Sequence, residues 1–197
     1  MKCLACSFES KDSKRFEYTP TTIDKLKVFD ERSIICCKKC GFGKIEKDID
    51  EDVLINYYSS DYSGKAKKKV QTSSGIFDSR TSYSFDIRSL SQLTLIRQYL
   101  DLNSEITVLE IGAGTGDFLF SLRQLNFNGS YIAFEPQEES QKCLEAMGGN
   151  IEKDIFDISG ASKYIDSVDL VIMSHSLEHF NPGKISEILG SISTMLR

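Results

Sequence analysis

Long apolar runs are missing from this 197-residue chain; Leu170-Val171-Ile172-Met173 is typical of the longest. Nothing approaches the ~20 apolar residues that a membrane span needs. The opening residues, Met1-Lys2-Cys3-Leu4-Ala5-Cys6, lack the apolar stretch of a signal peptide. Tryptophan is absent, proline occurs three times and histidine twice. Basic charge is also scarce where it would count. Residues 81–197 carry 8 basic and 16 acidic side chains, and the whole chain carries a net charge of -5. A protein that grips a nucleic-acid backbone usually presents a basic stripe. This sequence has only Lys65-Ala66-Lys67-Lys68-Lys69, which reads as a solvated loop. These absences predict a cytoplasmic protein, off the membrane and without a nucleic-acid partner. In that compartment paired cysteines point to metal rather than disulfides.

What is present divides into three segments. Residues 1–50 hold five of the six cysteines. Residues 51–84 are rich in Tyr, Ser and Lys and read as a connecting segment. From 85 to 197, helix-like and strand-like blocks alternate. Ile87, Leu90, Leu93, Ile96 and Leu100 recur at helical spacing and predict one apolar face. Strands are predicted at 106–111, 131–134, 150–153 and 169–173. Helices are predicted at 117–125 and 138–147, with a last one starting near Pro182. Strands alternating with helices imply an α/β fold with a parallel sheet.

The first of these strands runs into Glu110-Ile111-Gly112-Ala113-Gly114-Thr115-Gly116-Asp117. Glycines at alternate positions let the backbone turn sharply and approach a ligand. The turn follows a strand, so it lies at the carboxyl edge of the sheet, where open α/β folds bind ligands. Glu135 ends the next strand, and an acidic residue there can accept hydrogen bonds from ribose hydroxyls. The Gly-x-Gly-x-Gly spacing departs from the dinucleotide fingerprint, and Asp117 would repel phosphate. A ligand carrying a cation suits the turn better.

These stretches resemble the class I S-adenosylmethionine-dependent methyltransferases. The resemblance rests on 108–116, Ala133-Phe134-Glu135-Pro136, Lys153-Asp154-Ile155 and Asp169 through His179, in that order. It implies a Rossmann-like parallel sheet with S-adenosylmethionine as cofactor. Gly112, Gly114 and Gly116 would flank the cofactor's methionine and adenosyl parts. Glu135 would hold the ribose hydroxyls, Asp154 the adenine amino group and Ile155 the ring. Glu110 would act near the amino-acid moiety.

Both histidines fall in Met173-Ser174-His175-Ser176-Leu177-Glu178-His179, just past the fourth strand. His175 and His179 would share a face if this segment were helical. Either could serve as general base, because a nucleophile that has lost its proton takes a methyl group more readily. The Leu-Glu-His triplet could equally shape the loop. The two histidines and Glu178 could also bind a divalent metal, but no further clear ligand accompanies them.

Cys3-x-x-Cys6 and Cys37-x-x-Cys40 are two knuckles whose thiolates could complete a tetrahedral zinc site. The 30 residues between them leave room for a pair of strands, and Lys25-Leu26-Lys27-Val28-Phe29 alternates as one would. Gly41 and Gly43 suit the turn after the second knuckle. Cys36 reads as a spare and Cys143 as core. A zinc ribbon, then a Tyr-rich segment, then a methyltransferase is similar to the family that includes the sugar C-methyltransferases. That resemblance implies a small-molecule acceptor, a nucleotide-linked sugar or glycan precursor, with Tyr58 and Tyr62 as substrate contacts.

The chain departs from the family in length. The class I sheet has seven strands, and about four are present here, so the fold is expected to be incomplete at its C-terminal side and its activity impaired. The fourth strand would then be an open edge with bare apolar faces, available for self-association or a partner chain. Two other readings stay open: a non-catalytic module that pairs through that edge, and an RNA methyltransferase with a zinc ribbon.

Overall fold

A computed structural model describes residues 2–9, 13–17, 28, 32–47, 49–58 and 87–197. The chain divides into two units. One comprises Met1–Gly64 and Phe180–Ile185, the other Lys65–His179 and Ser186–Arg197.

In the first unit three short strands pair antiparallel in the order β1-β2-β3: β1 (Lys14–Glu17), β2 (Ser33–Cys36) and β3 (Gly43–Ile45). Arg15 faces Ile35, which faces Lys44. Two of these strands lie between the cysteine knuckles, as the separation allows. The strand expected at 25–29 falls outside the described residues, except for Val28, which is buried in a turn. Helix α1 (Glu51–Asn56) starts where the Asp50 carboxylate accepts the Asp52 N–H at 3.0 Å. Gly43 serves close packing rather than the turn. It stands opposite Cys36 in the sheet, and a Cβ there would come 3.1 Å from the Cys36 sulfur.

The second unit is built on a four-stranded parallel sheet: β4 (Thr107–Ile111), β5 (Ser130–Phe134), β6 (Asn150–Glu152) and β7 (Leu170–Met173). Their spatial order is β6-β5-β4-β7. The chain moves outward from β4 through β5 to β6, then returns to the far side of β4. Parallel strands are covered on both faces, which explains their nearly continuous apolar sequence. Between strands run α3 (Asp117–Gln124) and α4 (Glu138–Ala146), and α2 (Ile87–Ile96) precedes β4. Val108, Leu119, Leu122, Ala133 and Leu144 are fully buried where these helices meet the sheet. Arg123 ties α3 to the end of α4. Its guanidinium donates to the carbonyls of Phe127 (2.7 Å), Met147 (3.2 Å) and Gly148 (3.3 Å).

Three details differ from expectation. The buried face of α2 holds Ser89 and Leu93, with Ile96 and Leu100 packed beside them, whereas Ile87 is 80% exposed. A small Ser89 lets the helix approach on that line, so the face rotates away from Ile87 and Leu90. The last helix, α6 (Ile185–Met195), begins three residues after Pro182. Asn181 holds the intervening turn, its side chain accepting the Gly183 N–H and its carbonyl the Lys184 N–H, both at 2.9 Å. A short helix α5 (Ile158–Ala161), absent from the periodicity, forms where Asp157 accepts the Gly160 N–H at 2.6 Å.

The apolar faces of β7 are not bare. Ile172 is buried, its strand neighbours are half-buried, and α6 turns Ile188, Ile192 and Met195 inward. Among the described residues β7 pairs with β4 alone, and Val168 just before it forms a bridge with Leu196. Arg197 closes this corner on Asp169 at 3.1 Å and on the Ser167 carbonyl at 2.8 Å. No helix among the described residues is long and apolar enough to cross a membrane.

Gly116 sits at the junction of turn, α3 and α4. Its φ is +81°, and a Cβ would lie 2.7 Å from both Leu144 and Met147. Gly116→Ala therefore adds left-handed strain, while the close contacts are with the flexible ends of Leu144 and Met147, which can shift. It should cost about 1–2 kcal/mol of stability in a urea unfolding titration.

Candidate functional site

The two cysteine knuckles have matching backbones. In the first, the Cys3 N–H donates to the Phe8 carbonyl and the Ser7 N–H to the Cys3 carbonyl, both at 2.9 Å. In the second, Cys37 bonds Phe42 at 2.8 Å and Gly41 bonds Cys37 at 2.9 Å in the same pattern. Ser7 and Gly41 occupy equivalent positions with φ of +56° and +77°. Each turn aims its two thiols toward the other. Cys3 and Cys40 sulfurs lie 3.7 Å apart, Cys6 and Cys37 sulfurs 3.8 Å, and all four fall within 4.8 Å of one another. A tetrahedron of thiolates with Zn–S bonds of about 2.3 Å has edges of roughly 3.8 Å. The donor set and its size therefore fit zinc. The Cys40 N–H holds the Cys37 thiol down at about 6 against the effect of burial. The Phe42 N–H favours the Cys40 thiolate, but Cys6, burial and the remaining thiols outweigh it and push Cys40 up to about 12. One thiolate thus makes the next harder to form, a conflict that a central divalent cation removes. Cys36 lies outside the cluster, and Cys143 is buried in α4.

The second unit gathers the other candidates along the carboxyl edge of its sheet. Glu135 follows β5 directly and is 5% exposed. One of its carboxylate oxygens accepts the Gly114 N–H at 2.7 Å, the other the Gln137 N–H at 2.9 Å. Its carbonyl accepts from the Gln141 side chain at 2.8 Å. Burial raises the Glu135 pKa, and the two N–H donors oppose the rise. Gly114 has a φ of +53°, and nothing lies within 4 Å of where its Cβ would be. Space for a ligand thus opens beside the residue that Glu135 fixes. Asp154 is exposed two residues past β6, with Ile155 half-buried beside it. Glu135 and Asp154 therefore follow adjacent strands along one edge, next to the glycine turn.

Glu110 is 4% exposed inside β4, and the Tyr131 hydroxyl donates to its carboxylate. The register pairs Val108 with Tyr131, which places the phenol beside Glu110 on the same face. Burial pushes the Glu110 carboxyl up to about 8; the Tyr131 bond opposes this, while Asp117 and Glu135 add to it. Sequence reasoning missed Tyr131 because the pairing depends on register between strands. It also missed Gln141, whose contact needs the turn after β5.

The histidines do not share a helical face. Residues 177–179 form a single 3₁₀ turn, and His175 precedes it with a φ of +56°. His175 is exposed, its Nδ1 3.4 Å from a Glu178 carboxylate oxygen. His179 is half-buried, and desolvation lowers its pKa, favouring neutral imidazole. Tyr58 belongs to the first unit, where its ring meets Tyr57 edge-on at 5.1 Å. Tyr62 lies outside the described residues.

The raised Glu110 carboxyl has a consequence for stability. The folded chain holds this proton more tightly than the unfolded chain does. Its contribution is intact below the ordinary carboxyl value of 4.5 and is lost as pH rises through about 8. Glu110→Gln should therefore stabilise the chain at pH 8 and make little difference at pH 4. Glu135 adds a slope of the same sign, so the variant should show a reduced pH dependence of its urea midpoint, not a flat one.

Residues 83–197 match the family described as "Methyltransferase domain". Magnesium protoporphyrin IX methyltransferase from Synechocystis PCC 6803, with bound SAM, has a similar structure. The likeness covers 77% of this chain and 74% of that chain, at 14% identity and a TM-score of 0.51. The same enzyme with bound SAH is similar over 74% and 67%, at 16% identity and 0.50. A SAM-dependent methyltransferase from Archaeoglobus fulgidus matches over 62% and 52%, at 24% identity and 0.44. At such identities the likeness is one of fold. Three of the solved structures it matches are considerably longer, and the chain spans 44%, 62% and 52% of their lengths. No curated protein matches the chain. The family match covers more than half of the residues and coincides with the parallel sheet and its glycine turn: the chain belongs to the methyltransferase-domain family and has the class I, Rossmann-like fold.

Proposed function

We propose that the chain binds S-adenosylmethionine at the carboxyl edge of its parallel sheet and serves methyl transfer to a small-molecule acceptor. The observation that carries this reading is the buried Glu135 carboxylate, fixed on the Gly114 N–H beside open space. Each carboxylate oxygen accepts one backbone N–H and keeps a second lone pair for a ribose hydroxyl. Asp154 and Ile155 would take the adenine amino group and ring, and Glu110 the positive end of the amino acid. The acidic turn suits a cationic ligand and disfavours phosphate. When bound, the cofactor supplies an electrophilic methyl group on a sulfonium. His179, kept neutral by desolvation, would accept the acceptor's proton, and exposed His175 would help hold the loop through Glu178.

The order of cysteine knuckles, tyrosine-rich segment and methyltransferase domain favours a nucleotide-linked sugar or glycan precursor as acceptor. The first unit would hold zinc through Cys3, Cys6, Cys37 and Cys40. Reduced thiolates of this kind suit a cytoplasmic setting.

Calorimetric titration with S-adenosylhomocysteine tests the cofactor assignment. The full chain should bind, and Glu135→Ala should weaken binding at least about tenfold, as expected for loss of hydrogen bonds to a charged group. A folded chain that binds no S-adenosylhomocysteine would overturn the reading. Zinc is tested separately. Elemental analysis should find about one zinc per chain, and Cys37→Ser should lose it.

A further inference from the structure

One buried polar atom at the carboxyl edge of the sheet has no hydrogen-bond partner among the described residues. Ser176 is 7% exposed, and its hydroxyl is the buried side-chain oxygen or nitrogen among the described residues that finds no hydrogen-bond partner. Burying a hydroxyl unpaired is costly, so such a group in a well-packed place needs a reason. Its surroundings offer one. Ser176 lies past the end of β7, and Gly112 opens the turn past β4. A Cβ on Gly112 would come 3.0 Å from the Ser176 Cβ and 3.7 Å from its hydroxyl oxygen. Gly112 itself is exposed, with a φ of +74°. The hydroxyl therefore sits against the backbone of the glycine turn, between the two strands where the chain reverses direction across the sheet. That reversal is the place where open parallel sheets bind their ligands.

The order of strands says which part of the ligand reaches it. Asp154 follows β6, Glu135 follows β5, the glycine turn follows β4 and Ser176 follows β7, in spatial sequence along one edge. Neighbouring strands stand about 4.8 Å apart, so this row spans roughly 14 Å. A nucleoside with its base toward β6 and its ribose at Glu135 extends its remaining arm over β4 toward β7. We propose that Ser176 is a positioning residue for S-adenosylmethionine, its hydroxyl hydrogen-bonding the amino-acid end of the cofactor across Gly112. This rests on the cofactor reading above. A serine hydroxyl both donates and accepts, so it can serve the carboxylate or the ammonium of that end.

The experiment compares two ligands on the full chain by calorimetry. S-adenosylhomocysteine carries the amino-acid end, and 5′-methylthioadenosine has the same nucleoside and sulfur without it. Ser176→Ala should weaken S-adenosylhomocysteine about tenfold or more, as for a hydrogen bond to a charged group, and leave 5′-methylthioadenosine unchanged. The ligand-free variant should melt no lower than the parent, because an unpaired buried hydroxyl has been removed. Unchanged affinity for S-adenosylhomocysteine, or equal weakening of both ligands, would overturn the proposal and leave the cofactor reading standing. A parent chain that binds neither ligand would overturn both.

Discussion

The glycine turn and the strand ends around it depend on one buried carboxylate. Glu135 reaches back from β5 to hold the Gly114 N–H and forward to hold the Gln137 N–H. Its own backbone continues the stitching. The Glu135 N–H donates to the Glu152 carbonyl at 3.0 Å, and the Gly112 N–H donates to the Phe134 carbonyl at 2.9 Å. The ends of β4, β5 and β6 are thereby joined in one row of hydrogen bonds. A turn with three glycines would otherwise be the loosest part of the sheet, since glycine gives up the most conformational freedom on ordering. Fixing it in advance lowers the entropy lost when a ligand binds.

That arrangement brings acidic groups together. Asp117 and Glu135 both act against ionising Glu110, and burial works against ionising Glu110 and Glu135. The cation nearest this group in sequence, Arg123, is already committed to three carbonyls. Tyr131 offers Glu110 a hydrogen bond but no charge. Among the described residues no cation pairs with the buried Glu110 or Glu135 carboxyl. A cationic ligand supplies what is missing, so a stability cost in the free chain becomes differential affinity for a positively charged cofactor. The Ser176 hydroxyl adds to this, because among the described residues it is buried with no hydrogen-bond partner, whereas Glu110 and Glu135 each have one or more.

The features legible in the sequence were those set by local rules. Parallel strands were visible as apolar runs, and the glycine turn was visible because positive φ leaves few alternatives to glycine. The four clustered cysteines were visible because two knuckles at Cys-x-x-Cys spacing need only converge. Features set by packing were not. The pairing of Glu110 with Tyr131 requires knowing that Val108 stands opposite Tyr131. The face of α2 rotated because Ser89, a polar residue, packs more closely than Ile87 could. His175 left the expected helical face because the backbone takes a left-handed step there, which no periodicity encodes. Pro182 marked a turn rather than a helix start because Asn181 captured the next two N–H groups locally.

The first unit poses the opposite problem, too little core rather than too much charge. Its strands have four, four and three residues, and β1 is exposed along its whole length. Its buried apolar side chains among the described residues include Val28, Ile35 and Tyr57, and two further buried positions are the ligand candidates Cys3 and Cys37. Units of this size seldom stand on hydrophobic burial alone and are usually held by a metal or by disulfides. The sulfur spacings match a tetrahedral ion across the knuckles. None of the Cys pairs is joined as a disulfide. The near-equivalence of the knuckles points the same way. Ser7 tolerates the left-handed conformation that Gly41 adopts freely, a strain worth about 1–2 kcal/mol that only a stronger constraint on the same turn would hold. Four bonds from thiolate to metal are such a constraint, and they would make the cysteines both the ligands and the centre of this unit's core.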